Sequence, residues 1–160
     1  NNLINKMKAV IQRVSSASVS VADEKISEIG NGLLIFLGVV QEDVQKDIDY
    51  MVNKTATLRI FNDNEQHMNL SILDVGGEAL VVSQFTLCAD TNRGRRPSFV
   101  GAADPKIAEN MYEQYCQKLQ LFNIPVSQGK FGAIMEVALM NDGPVTIVLD
   151  SLIIKKIKGR

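Results

Sequence analysis

A catalytic metal or an imidazole base would find few ligands or residues in this chain. The 160 residues include one histidine, His67, and two cysteines, Cys88 and Cys116, too few for a zinc cluster or a disulfide framework. No glycine-rich phosphate fingerprint follows a strand-like run and no phosphate-loop motif occurs, so neither metal nor nucleotide cofactor is expected. The longest apolar run, residues 33–40, is far below the roughly 20 residues of a membrane-spanning helix. A basic region leading into an apolar core is missing from the start, so the expected setting is the cytoplasm, away from membranes. With 17 basic and 18 acidic residues the net charge is −1, which disfavours a long footprint on duplex DNA. A short nucleic-acid end remains compatible with that balance.

What is present reads as one globular domain with a sizeable core, 46% hydrophobic and 22% charged. Residues 1–6 precede Met7 and are set aside as an upstream extension or expression remnant, leaving a domain over 7–160. Residues 7–14 (MKAVIQRV) and 17–21 alternate at period two and predict two paired strands. A strand over 26–29 follows, then a run at 33–40 whose continuous apolar character suggests cover on both faces. Helical spacing from Asp43 to Ile60 predicts one helix, and Asp104-Pro105 opens a second, to about Leu121. Between them lie a strand over 78–87 and a long loop, 89–103, rich in Arg and Gly. A short edge strand at Pro125, strands over 133–140 and 145–154, and a basic tail over 155–160 complete the chain. Strands that do not alternate regularly with two main helices predict an α+β domain with a largely antiparallel sheet or barrel.

Chemistry has three candidate locations. Ser83, Gln84, Phe85 and Thr86 end a strand that feeds the arginine loop, and offer hydroxyl and amide groups beside a ring; half-exposed polar residues at a strand end are the plainer alternative. Arg93, Arg95 and Arg96 form the dense basic cluster, suited to phosphate or simply solvated. Gly143-Pro144 lies between two apolar runs. Because X-Pro bonds alone become cis at modest cost, yet only about 5–6% are cis in folded proteins, an ordinary trans turn and a rigid cis device stay open. Neither Thr86 nor Ser83 has an identifiable activating base, Cys88 reads as a buried structural thiol, and the pairs Asp23/Glu24 and Glu42/Asp43 read as solvated turn charges.

Taken in order, residues 7–18 (MKAVIQRVSSAS), the SQFTL segment at 83–87, the RRPSF segment at 95–99, GKFGAIM at 129–135 and NDGPVT at 141–146 resemble the D-aminoacyl-tRNA deacylases. The resemblance runs from Met7 to about Leu152. It implies a homodimer that hydrolyses the ester joining a D-amino acid to the 3′-terminal adenosine of tRNA, with glycyl-tRNA accepted as well. It also implies that Gly143 and Pro144 form a cis peptide reaching into the opposite subunit and excluding L side chains, braced by Arg13. Ser83, Gln84, Phe85 and Thr86 would carry the hydrolysis, and Phe131, Gly132, Ala133 and Met135 would receive the adenine. The rivals are a hydrolase of another small ester or amide using Thr86 or Cys88, and a non-catalytic module that binds RNA ends.

Overall fold

The computed structural model describes residues 6–151. The predicted tail at 155–160 and the end of the last predicted strand lie outside them, as do residues 1–5.

One strand organises the molecule. β1 (Lys8–Val21) pairs antiparallel with β2 (Glu24–Ile29) through its second half and with β3 (Gly32–Gly38) through its first. Along its whole length it pairs antiparallel with β8 (Glu136–Asp150). The two strands expected at 7–14 and 17–21 are therefore one. No Gly, Pro, Asn or Asp separates Val14 from Ala17, so nothing reverses the chain there, and Ser15 and Ser16 are merely an exposed irregularity in the ladder. The last two predicted strands also prove to be one, because both halves of β8 choose β1 as their neighbour instead of folding onto each other.

From β3 the sheet continues in parallel to β6 (Glu78–Ser83) and then β7 (Val126–Gln128), giving the order β2-β1-β3-β6-β7 with β8 on β1. The sheet is antiparallel around β1 and parallel beyond β3. It curls until β2 comes into contact with β6 and β7. A small hairpin of β4 (Phe61–Asn62) and β5 (Met68–Leu70), unforeseen in the sequence, stands apart. β3 is buried almost throughout, as its unbroken apolar run requires of a strand with neighbours on both edges.

Two helices cover one face. α1 (Gln45–Thr57) buries Ile48, Met51, Val52 and Ala56, and α2 (Pro105–Gln120) buries Tyr112, Tyr115, Cys116 and Leu119. Asp104 caps α2 by accepting from the Lys106 N–H at 3.0 Å, with Pro105 at the first helical position, where its missing N–H costs nothing. The helices meet through a buried Thr55–Tyr115 hydroxyl pair at 2.7 Å and an ion pair between Lys118 and Asp49. Ile107, in the first turn of α2, is exposed. Asp43 corrects another expectation. It is not a solvated turn charge but a buried carboxylate accepting from the Met7 and Val40 N–H groups, each at 2.8 Å, and so ties the start of β1 to the turn before α1. Lys6 is also buried.

Candidate active site

β6 ends sooner than predicted, at Ser83, and the chain then tightens into a 3-10 turn over Phe85–Cys88. The Gln84 N–H donates to the Leu37 carbonyl at 2.8 Å, which fixes the turn against the end of β3. Gly38 makes this approach possible. A Cβ there would stand 3.0 Å from Leu87 Cβ and 3.1 Å from the Gln84 carbonyl oxygen. The first hydrogen bond of the turn runs from the Leu87 N–H to the Gln84 carbonyl at 3.2 Å. The N–H groups of Phe85 and Thr86 precede it and have no acceptor within the turn, as at any helix start.

Ser83, Gln84 and Phe85 form one wall of a cavity of about 730 Å³, within the range of small-molecule sites. Phe131, Gly132, Ala133 and Met135 form another. The two segments meet because β7 lies parallel to β6 and the chain turns directly after it. Phe131 stands against Tyr112 of α2, with ring centroids 6.0 Å apart, and the buried Tyr112 hydroxyl donates to the Val81 carbonyl at 2.7 Å.

Sequence reasoning missed a third wall. Gln41, Phe99, Ala102, Ala103 and Asp104 also line the cavity. The Ala89-to-Ala103 loop is carried there by a bridge between Val40 and Ala102 and by the Gln41 side chain, which donates to the Val100 carbonyl at 3.0 Å. The Phe99 ring meets Phe85 edge-on at 5.0 Å. The signal lay in the RRPSF segment, whose phenylalanine went unused as a site residue.

Thr86 is exposed and, unlike Ser83, Gln84 and Phe85 before it, does not line the cavity; the Gln84 amide donates to its hydroxyl oxygen. An amide is not a base. His67 is exposed in the β4–β5 turn, 3.9 Å from Glu65. Cys88 is buried with its thiol toward the Val39 carbonyl at 3.5 Å, and burial, with the charge of Asp43 adding, pushes its pKa up. It is the protonated, structural kind of cysteine. Among the described residues no three His, Cys, Asp or Glu side chains gather as a metal would need.

Gly143 and Pro144 do not line this cavity. β8 pairs Asn141 with Val14 and next pairs Thr146 with Gln12, so residues 142–145 bulge out opposite Arg13 alone. The Gly143–Pro144 peptide is cis and both residues are exposed. Arg13, only 6% exposed, donates from Nε to the Asp142 carbonyl at 3.0 Å and from Nη1 to the Ile60 carbonyl at 2.8 Å. The Asn141 side chain accepts from the Val145 N–H at 2.9 Å and closes the bulge. Glycine is required at 143. Its φ is +135°, and a Cβ would fall 2.8 Å from Val145 Cγ2 and 2.9 Å from Arg13 Nη2.

A curled sheet carrying a cavity at the end of β6 defines a fold that solved structures share. A probable eukaryotic D-amino acid tRNA deacylase superposes with a TM-score of 0.78 over 91% of this chain and 100% of its own, at 16% identity, a likeness of fold. A c-Myc DNA Unwinding Element Binding Protein matches at 0.85 with 43% identity, over 90% of this chain and 98% of its own. Sequence relatives are nearer. D-aminoacyl-tRNA deacylase of Chloroflexus aurantiacus is 59% identical over 145 residues, 91% of each chain, and that of Roseiflexus castenholzii is 56% identical over 154, or 96% and 98%. The D-Tyr-tRNA(Tyr) deacylase family model matches residues 10–150. The chain belongs to that family, and with it to the hydrolases that act on ester bonds.

Proposed function

We propose that the chain hydrolyses the ester between a D-amino acid, or glycine, and the 3′-terminal adenosine of tRNA, acting in the cytoplasm as a homodimer. The observation that carries this reading is the cavity, which joins the Ser83–Phe85 wall to the Phe131–Met135 wall in a space suited to an aminoacylated nucleoside. On this reading Phe131, Gly132, Ala133 and Met135 hold the adenine. Phe85 and Thr86 N–H groups stabilise the oxyanion that forms when water attacks the ester carbonyl. As the tetrahedral intermediate collapses, the bond to the ribose 3′ oxygen breaks and that oxygen takes a proton, with the neighbouring 2′-hydroxyl assisting. Thr86 positions substrate. Its hydroxyl oxygen already accepts from the Gln84 amide, and nothing basic stands ready to take its proton.

Gly143 and Pro144 serve selectivity across the dimer. They are exposed, tied to Arg13 through the Asp142 carbonyl, and do not line their own cavity, so on this reading they work at the reaction centre of a second copy. Leu139, Met140 and Val148 leave β8 with exposed apolar side chains for such a copy to cover. With the partner's Gly143 and Pro144 closing the cavity, the space beside the α-carbon admits hydrogen but not an L side chain, and glycine passes because it has none.

The test is release of amino acid from matched D-tyrosyl-, L-tyrosyl- and glycyl-tRNA with a chelator present. Release of the first and third, insensitive to chelator, is expected. Equal release from the L ester would defeat the selectivity reading, and tRNA binding without release would favour a non-catalytic RNA-end module.

A further inference from the structure

We propose that the loop over residues 90–98 grips backbone phosphates of the single-stranded tRNA 3′ end, just inward of its terminal nucleoside. This rests on reading the cavity as the seat of an aminoacylated adenosine.

The loop is built to present charge. Asp90 and Ser98 exchange both backbone hydrogen bonds, at 2.8 and 2.9 Å, pinching the intervening residues into a closed turn. The Asp90 carboxylate is spent within the loop, accepting from the Asn92 backbone and side chain at 2.9 and 2.8 Å. Gly94, at φ +67°, turns the tip. Arg93, Arg95 and Arg96 are all exposed, and no ion pair to an acidic side chain engages them among the described residues. Three guanidinium groups against one aspartate is a strong local excess in a chain whose net charge is −1.

Position ties this charge to the cavity. Phe99, next after Ser98, lines it and packs on Phe85, while the other end of the loop leaves the 3-10 turn that carries Thr86. A nucleoside seated within has its 5′ strand leaving through the mouth. Arginine forks match phosphate oxygens, and a grip on backbone carries no sequence preference, as suits an end shared by tRNAs with different amino acids.

The experiment compares wild type with the triple variant R93Q/R95Q/R96Q on three probes: D-tyrosyl-tRNA, phosphate-free 3′-O-D-tyrosyl-adenosine, and uncharged tRNA. The variant is expected to lose about tenfold or more in kcat/KM on the tRNA ester and in affinity for uncharged tRNA at low salt. The slope of log affinity against log salt should fall by roughly 2, three contacts at about 0.7 each for a single strand. Hydrolysis of the nucleoside ester should change less than twofold, and R95K should keep most of the affinity. Equal losses on both esters would assign the loop to the cavity wall and overturn the proposal, as would undiminished tRNA affinity. Wild type that binds uncharged tRNA through these arginines yet cleaves neither ester would sink the deacylase reading and leave the phosphate grip standing.

Discussion

Replacing Arg13 with methionine keeps the apolar stem packed in β1 while deleting the guanidinium that spans two elements. Of its contacts, the one to the Ile60 carbonyl weighs most, because Ile60 is buried and water would not replace the donor. Stranding a buried carbonyl costs about 1–3 kcal/mol. The bond to the Asp142 carbonyl and the 3.5 Å approach to its carboxylate involve an exposed residue, where water substitutes and ion pairs contribute little. A loss of about 2 kcal/mol is therefore expected in urea unfolding, near 4–8 °C in Tm for a chain of this size. The bulge would lose its buried anchor while the cavity walls stay in place. Hydrolysis of D-tyrosyl-tRNA should persist, and its ratio to L-tyrosyl-tRNA hydrolysis should fall at least tenfold. A destabilised variant whose D/L ratio matched wild type would refute the bracing role, and unchanged stability would refute the weight given to the Ile60 bond.

Gly143→Ala places a methyl against Val145 and the Arg13 guanidinium at a φ that side chains rarely adopt. It should cost on the order of 1–3 kcal/mol and, since the bulge is exposed, leave the circular dichroism spectrum intact while the ratio of D- to L-tyrosyl-tRNA hydrolysis drops tenfold or more. Thr86→Ala removes a hydroxyl that has no base, so kcat/KM on D-tyrosyl-tRNA should fall less than tenfold; complete loss with tRNA binding retained would restore a nucleophilic threonine. Burial holds the Cys116 thiol up at about 12, with the Glu113 charge adding, and raises Cys88, Tyr112 and Tyr115 as well. Folded-state pKa values above the unfolded ones mean the folded chain keeps protons that the unfolded chain gives up. Stability should thus hold below about pH 9 and decline as pH rises from there toward 11, as thermal melts across that range would show. A flat profile would contradict the burial of these groups.

Local pattern carried much of the architecture. The Asp104-Pro105 start of α2 was legible because a cap and a first-turn proline are chemistry of adjacent residues, and β3 because a strand with two neighbours needs an unbroken apolar run. Pairing choice was not. Whether residues 133–140 and 145–154 face each other or share a third strand is decided by β1, more than a hundred residues away, and the same strand absorbed the supposed break at Ser15 and Ser16. Within the site, Ser83 to Thr86 and Phe131 to Met135 stood out through motif order, and the cavity brings Ser83 to Phe85 together with Phe131, Gly132, Ala133 and Met135. Phe99 was visible only as the end of the RRPSF segment, and Gln41 and Ala102 to Asp104 were silent because one backbone bridge and one side-chain hydrogen bond bring them there. Asp43 misled for a related reason: one of its two N–H donors, Val40, is three residues away, but the other, Met7, reaches it only in the fold.

In the proposed dimer one copy's Gly143-Pro144 closes the other copy's cavity over the amino acid. A crystal structure with the non-hydrolysable 3′-deoxy-3′-(D-tyrosylamino)adenosine tests it most directly. Adenine is expected between Phe131 and Met135, the carbonyl oxygen at the Phe85 and Thr86 N–H groups, and the partner's Gly143 and Pro144 against the α-carbon. A ligand seated in the cavity with both copies' Gly143 and Pro144 turned to solvent would contradict it.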